Sequence, residues 1–240
     1  MRADIFKKGI VHGLPICFGY FSVAFAFGIF AVSNGLTALE AVLISLTNVT
    51  SAGQLAGVPI IAAGGTLVEM AASQLVINLR YALMSVSLSQ KLDDSMTLPH
   101  RFIISFVNTD EVFAVASSQK GTVGKVYLYG LILTPYLGWA AGTLVGAVAG
   151  NILPAIVTNS LGIAIYGMFT AIVLPEAKHS RPVALCALLA VALSCLFYFV
   201  PGLNTVPSGF VVIICAVTAS AVLALAHPVD IPREEVASDE

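Results

Sequence analysis

Charged side chains are scarce in this 240-residue chain: Asp, Glu, Lys and Arg make up 10% of it, against about a quarter in a soluble globular domain. That shortage excludes a water-facing surface over most of the molecule; 58% of the residues are hydrophobic and the mean hydropathy is +0.94. A formal net charge of -2 leaves no basic surface for nucleic acid. Cysteines are few, and Cys17, Cys186, Cys195 and Cys215 lie in apolar runs without CxxC spacing or neighbouring histidines. They read as small apolar side chains, which argues against disulfides and a structural metal. A Walker motif, HExxH and GxSxG are also missing, so no ATP-driven pump, enzyme or cofactor is indicated.

Long apolar runs fill the chain instead. They fall at about 10–33, 41–64, 66–88, 102–118, 123–150, 155–175, 182–200 and 208–226, with turn-rich separators such as "QKLDDSMTLPH" and "PGLNTVP". About 20 such residues cross roughly 30 Å of hydrocarbon as a helix, which satisfies its own backbone. The expectation is an all-α polytopic membrane protein of about eight transmembrane segments, seven if the weakly marked break at Gly64 and Gly65 is not real. One transmembrane domain then covers 1–226, and 227–240 forms a cytoplasmic acidic tail. The apolar stretch after "MRADIFKK" is too long for a signal-peptide core and reads as a retained first helix.

Lys and Arg are retained on the cytoplasmic side of a membrane. Eight crossings put Arg2, Lys7, Lys8, Lys120, Lys125, Lys178, Arg181 and Arg233 on one face and only Lys91 and Arg101 on the other. Both termini are therefore expected in the cytoplasm. An early Pro and paired Gly in "PICFGYFSVAFAFG" (15–28) recur in "PYLGWAAGTLVG" (135–146), which suggests parallel repeats of four helices.

Glu69, Arg80, Asp110 and Glu111 interrupt the apolar runs. A charge at a helix centre costs about 2.5–3.5 kcal/mol even on lenient scales, so such residues face partners or cavities. Glu69 and Arg80 are close to three helical turns apart and share a face with Ser73 and Ser87, yet about 16 Å of rise forbids a pair between them. Asp110 or Glu111 is the expected partner of Arg80; the alternative places both acids at a boundary, reaching water.

The second run contains "TNVTSAGQLAG" (47–57) followed by Pro59, so a broken or re-entrant segment is expected there. The N-terminus of a half-helix at such a break would seat a carboxylate, whereas Gly53 and Gly57 alone read as a GxxxG packing face. Pro15 and Gly19 are candidate hinge residues, His12 a proton carrier or interfacial histidine, and Trp139 a packing residue or interface anchor.

In order and spacing, "GLPICFGYFSVAFAFG", "SAGQLAG", "LVINLRYALMSVSLS" and "NTDEVFAVA" resemble the AzlC family, the large subunit of branched-chain amino acid exporters. The resemblance covers roughly residues 5–200 and is strongest over 13–118. It implies export of leucine, isoleucine, valine and similar apolar amino acids from a bacterial or archaeal inner membrane, driven by an ion gradient, with proton antiport expected. It also implies a small AzlD-like membrane subunit as partner. The family's motif positions fall on Ser51, Gly53, Gln54, Asn78, Arg80, Tyr81, Asp110 and Glu111. The first six are expected to bind substrate, and Glu69, Asp110 and Glu111 to carry protons or form ion pairs. A small-solute channel and a scaffold whose partner completes the site are the competing readings.

Overall fold

A computed structural model of the chain describes residues 2–154, 156, 167, 170, 173–175 and 177–227. The helices are α1 (Arg2–Ser33), α2 (Ala38–Thr47), α3 (Ser51–Ala62), α4 (Leu67–Ser89), α5 (Leu98–Ser105), α6 (Asp110–Ser117), α7 (Lys125–Ile152), α8 (Arg181–Phe199) and α9 (Ser208–Ala226). By length and composition, α1, α7, α8 and α9 are apolar enough to cross a membrane. The sixth expected segment, 155–175, falls mostly outside the described residues, as do Arg233 and, beyond His227, the acidic tail.

The core is a parallel pair, α1 on α7. A Cβ on Gly9 would lie 2.3 Å from the Tyr127 carbonyl, and one on Gly28 2.3 Å from that of Thr143, so the helices touch backbone to backbone along their length. Their shared direction agrees with the Pro/Gly echo. We call the end where both begin the basal face and the other the distal face.

Between them the chain does not cross three times. Thr37 and Glu40 form a capping box that starts α2 at the distal face, where Ala41 packs with Phe27, Ala31 and Ala147. Further along, the Ser45 hydroxyl meets Thr143 Oγ1 at 2.6 Å, and the Leu46 carbonyl accepts from Tyr136 at 3.0 Å. The α7 partners thus step from 147 to 143 to 136, so α2 descends toward the middle of α7. After the break at Asn48–Thr50 the path reverses: Gln54 Nε2 donates to Ser45 Oγ at 2.9 Å, and Val58 rejoins Ala41 in the distal cluster. The second segment is a re-entrant hairpin.

The expected single crossing at 102–118 is overturned in the same way. His100 lies 2.9 Å from the Tyr129 hydroxyl near the basal face, and Phe106 packs on Tyr136 halfway up. From Asp110, beside Arg80, α6 returns to Ser117, whose carbonyl accepts from Lys91. The physical cause is a start signal inside the apolar run: Thr109 takes extended backbone before Asp110 and Glu111 in the first turn of α6. Asn108 is held by Ser85 Oγ.

Only α4 runs from distal to basal face between the hairpins. Lys91 and Arg101 therefore do not lie opposite the other cations, as eight crossings require. Leu92 bridges to Val123, and His100 is 3.1 Å from Lys125 Nζ, which returns both to the basal face. The unit between α1 and α7 is two opposed hairpins around one helix, not a four-helix repeat.

Candidate functional site

The hairpin tips meet halfway along α1, α4 and α7. On one side of the junction is a cavity of about 750 Å³, with Thr50, Ser51 and Ala52 on one wall and Thr109, Asp110 and Glu111 on another. Both walls are half-helix starts. At α3 the Thr50 hydroxyl accepts the Gly53 N–H at 3.0 Å, and the first turn carries no acid. Its remaining N–H groups and the positive dipole end are left for an anion. At α6 the same dipole is met by the chain's own carboxylates.

Arg80 Nη1 binds Asp110 at 2.9 Å to Oδ1 and 2.7 Å to Oδ2, while Nη2 donates to the Tyr81 hydroxyl at 3.1 Å. The guanidinium also lies 4.8 Å from the Tyr81 ring centroid, a cation–π contact. Arg80 and Asp110 remain 54% and 46% exposed, so a solute in the cavity can reach the pair. Asp110 is thus the acid opposite Arg80. Glu111 instead accepts from the Tyr20 hydroxyl at 2.5 Å, and Thr109 Oγ1 lies 2.5 Å from the same phenol oxygen.

Tyr20 was not singled out from the sequence, although a lone phenol in "CFGYFSVAF" signals a polar partner in an apolar run. Its ring stands edge-on to Trp139, with centroids 5.1 Å apart. Trp139, expected as packing, therefore does pack, and it also lines the cavity. Pro15 and Gly19 line it too, and a Cβ on Gly19 would meet nothing within 4 Å. The helix is continuous through both residues.

Ser51, Arg80, Tyr81, Asp110 and Glu111 thus line one cavity, while other residues named from the sequence do not. Gln54 is buried and points into the α2–α3 hairpin, so it is not a wall of this cavity. Gly53 serves a helix contact: its carbonyl accepts from Gln74 at 2.8 Å, and a Cβ there would lie 2.6 Å from Gln74 Oε1. Asn78 donates to the same Gln74 oxygen at 3.1 Å and belongs to a neighbouring chamber. His12 bonds the Tyr127 hydroxyl near the basal end, away from the cavity.

Glu69 departs furthest from expectation. Buried at the distal end of α4, it accepts the Gly209 N–H at 2.8 Å and so caps α9, with no ion-pair partner among the described residues. The anion suits the positive end of α9, and Glu69 is a positioning residue in this arrangement. Glu69→Leu leaves that buried N–H without an acceptor, which costs about 1–3 kcal/mol. The expected result is a melting temperature lower by several degrees; an unchanged melting temperature would overturn the capping role.

The sequence profile of the family described as "AzlC protein" matches residues 15–153. A protein of Archaeoglobus fulgidus named "Uncharacterized membrane protein" is 34% identical over 195 residues, covering 80% of this chain and 85% of its own. "Inner membrane protein YgaZ" of Escherichia coli is 28% identical, covering 79% and 80%. A membrane protein of Helicobacter pylori is 25% identical over 150 residues. No solved structure matches.

Proposed function

Because the chain belongs to the AzlC family of membrane proteins, we propose that it is a secondary transporter exporting leucine, isoleucine, valine and similar apolar amino acids. One observation carries the reading: two half-helix starts and an accessible ion pair converge on a single cavity midway along the long helices. Discontinuous helices in opposed repeats, meeting where the solute sits, are a recurrent construction of secondary transporters. The volume also lies within the few hundred to about 1,000 Å³ of small-molecule sites.

The walls suit a zwitterion with an apolar side chain. Its carboxylate fits the uncapped N–H groups of Ser51 and Ala52 or the Arg80 guanidinium. Its ammonium fits Glu111 or Asp110, and its side chain fits Pro15, Ile16, Gly19 and Val23. Glu111 has no cation partner among the described residues and bonds only the Tyr20 hydroxyl, which makes it the carboxylate best placed to exchange a proton. Proton entry at Glu111 with amino acid exit would constitute the antiport.

Arg2, Lys8, Lys91, Arg101, Lys120 and Lys125 gather at the basal face, which supports a cytoplasmic N-terminus in an inner membrane. The small AzlD-like subunit is the expected partner. The exposed ridge Leu75, Leu79, Leu83 and Val86 on α4 is available to it or to lipid.

The test is loss of intracellular leucine, isoleucine, valine and methionine from dipeptide-fed cells expressing this chain with a neighbouring small membrane subunit. The expected outcome is faster loss, slowed when the proton gradient is collapsed. Equal retention with and without expression would refute export, and gradient-independent loss would indicate a channel.

A further inference from the structure

A second chamber, of about 210 Å³, lies across the hairpin tips and shares Val49, Thr50, Tyr81 and Thr109 with the larger cavity. Its remaining walls have the opposite polarity. Thr47 and Asn48 end α2, and Ser105 and Phe106 end α5. The end of a helix is the negative end of its dipole, so two such ends at one chamber favour a cation.

An independent observation points the same way. Asn108 is 3% exposed and Asn78 is half-buried, and among the described residues the Oδ1 of neither has a hydrogen-bond partner. Neighbours fix the Asn78 amide. Gln74 Nε2 donates to the Gly53 carbonyl, so Gln74 Oε1 must accept, and Asn78 Nδ2 donates to it. Asn78 Oδ1 is then the atom left over. Asn108 Nδ2 reaches Ser85 Oγ at 3.2 Å, a hydroxyl that can either donate or accept. Two buried amide oxygens without donors, both on residues walling one chamber, call for an electropositive occupant.

The donor set indicates its charge. Among the described residues the walls offer amide, hydroxyl and backbone oxygens and no carboxylate. Calcium and magnesium sites draw on carboxylates, whereas neutral oxygens beside half-helix C-termini are the setting in which transporters bind a monovalent cation. We infer that this chamber binds a dehydrated alkali cation, sodium in the first instance, through Asn78 Oδ1 and Asn108 Oδ1, with lone pairs of Thr47, Thr50 and Ser105 as further donors. Thr50, Tyr81 and Thr109 face both chambers, so cation occupancy and solute occupancy act on the same tips. The site adds a metal cation to the proton proposed above and does not depend on which amino acid is carried.

The full-length protein, purified in detergent without any amino acid, is melted in sodium, potassium or N-methylglucamine chloride at equal pH and ionic strength, and its retention of radiolabelled sodium is measured. At about 100 times the dissociation constant the melting temperature rises on the order of 5 °C over N-methylglucamine. Asn108→Leu removes both the rise and the retention, whereas Asn108→Asp, which keeps an oxygen and adds charge, preserves them. If Asn108→Leu does not fold, Asn78→Ala carries the same test. Equal melting in all three salts overturns the proposal, as does sodium retention untouched by either variant. Mole-for-mole release of sodium by leucine would make the chamber the seat of the substrate ammonium and overturn the metal assignment. Export fails or succeeds in a separate assay.

Discussion

If the chain exports leucine as proposed, Arg80→Gln is expected to cut that export at least about tenfold while leaving the protein folded. The guanidinium makes charge-assisted bonds to both Asp110 oxygens and a third to the Tyr81 hydroxyl. Hydrogen bonds to charged groups are worth about 1.5–3 kcal/mol, and about 1.4 kcal/mol corresponds to a tenfold change in rate. The stability effect is smaller, because the pair is half-exposed and such pairs contribute below about 1 kcal/mol. Arg80→Lys does not restore export: an ammonium cannot span Asp110 and the Tyr81 hydroxyl while lying over the ring. Combining Arg80→Gln with Asp110→Asn separates two roles. Recovery means that Arg80 chiefly neutralises Asp110; no recovery means that it seats the substrate carboxylate. Initial efflux rates normalised to membrane-inserted protein are the readout, and wild-type efflux from Arg80→Gln would remove this pair from the mechanism.

The chemistry of this site was more legible in the sequence than its geometry. Arg80 announces itself because an unpaired cation at membrane depth is costly, and the two acids following Thr109 are its nearest polar neighbours in the next run. The turn at 48–50 was legible for a similar reason, as polar residues beside glycine cannot continue a lipid-facing helix. The second hairpin was not, because "FIISFVNTDEVFAVASS" has the length and composition of a span. Only Thr109 before two acids marks a helix start there, and a start says nothing about which way the chain turns. Direction came from partners: Phe106 on Tyr136, then Ser117 at Lys91. The facing of Gln54 was lost for the same reason. Its side chain points toward Ser45, nine residues earlier, only because the segment doubles back. Once both hairpins are in place, Lys91 and Arg101 join the other basal cations, so the charge asymmetry becomes more consistent with one cytoplasmic face than eight straight crossings allow.

The site also depends on a backbone contact made by glycines, and that contact supplies the largest expected effect on stability. Gly138, Gly142, Gly146 and Gly150 recur every fourth residue on α7. A Cβ on the first three would approach the carbonyls of Cys17, Phe21 and Phe25 to 2.7, 2.4 and 2.0 Å, and one on Gly150 would lie 3.3 Å from Ile29 Cα, again every fourth residue on α1. Small-xxx-small ridges of this kind let membrane helices associate by close packing where no hydrophobic driving force acts between them. Gly146→Val must push α1 off α7, because the opposing atom is backbone and has no rotamer to yield. A cost of roughly 3 kcal/mol follows from overpacking of this severity, or about 6–12 °C in melting temperature for a chain of this size. Tyr20 and Trp139 sit on the two helices of this pair, so a shifted α1 also draws Tyr20 away from Glu111 and Thr109. Export should then fall even in the fraction that remains folded. Gly19→Ala is the control on the partner helix α1: its added methyl meets nothing within 4 Å, and its melting temperature should stay level or rise slightly through helix propensity. A wild-type melting temperature for Gly146→Val would mean that α1 and α7 are not held backbone to backbone, and the common frame on which both hairpin tips rest would have to be redrawn.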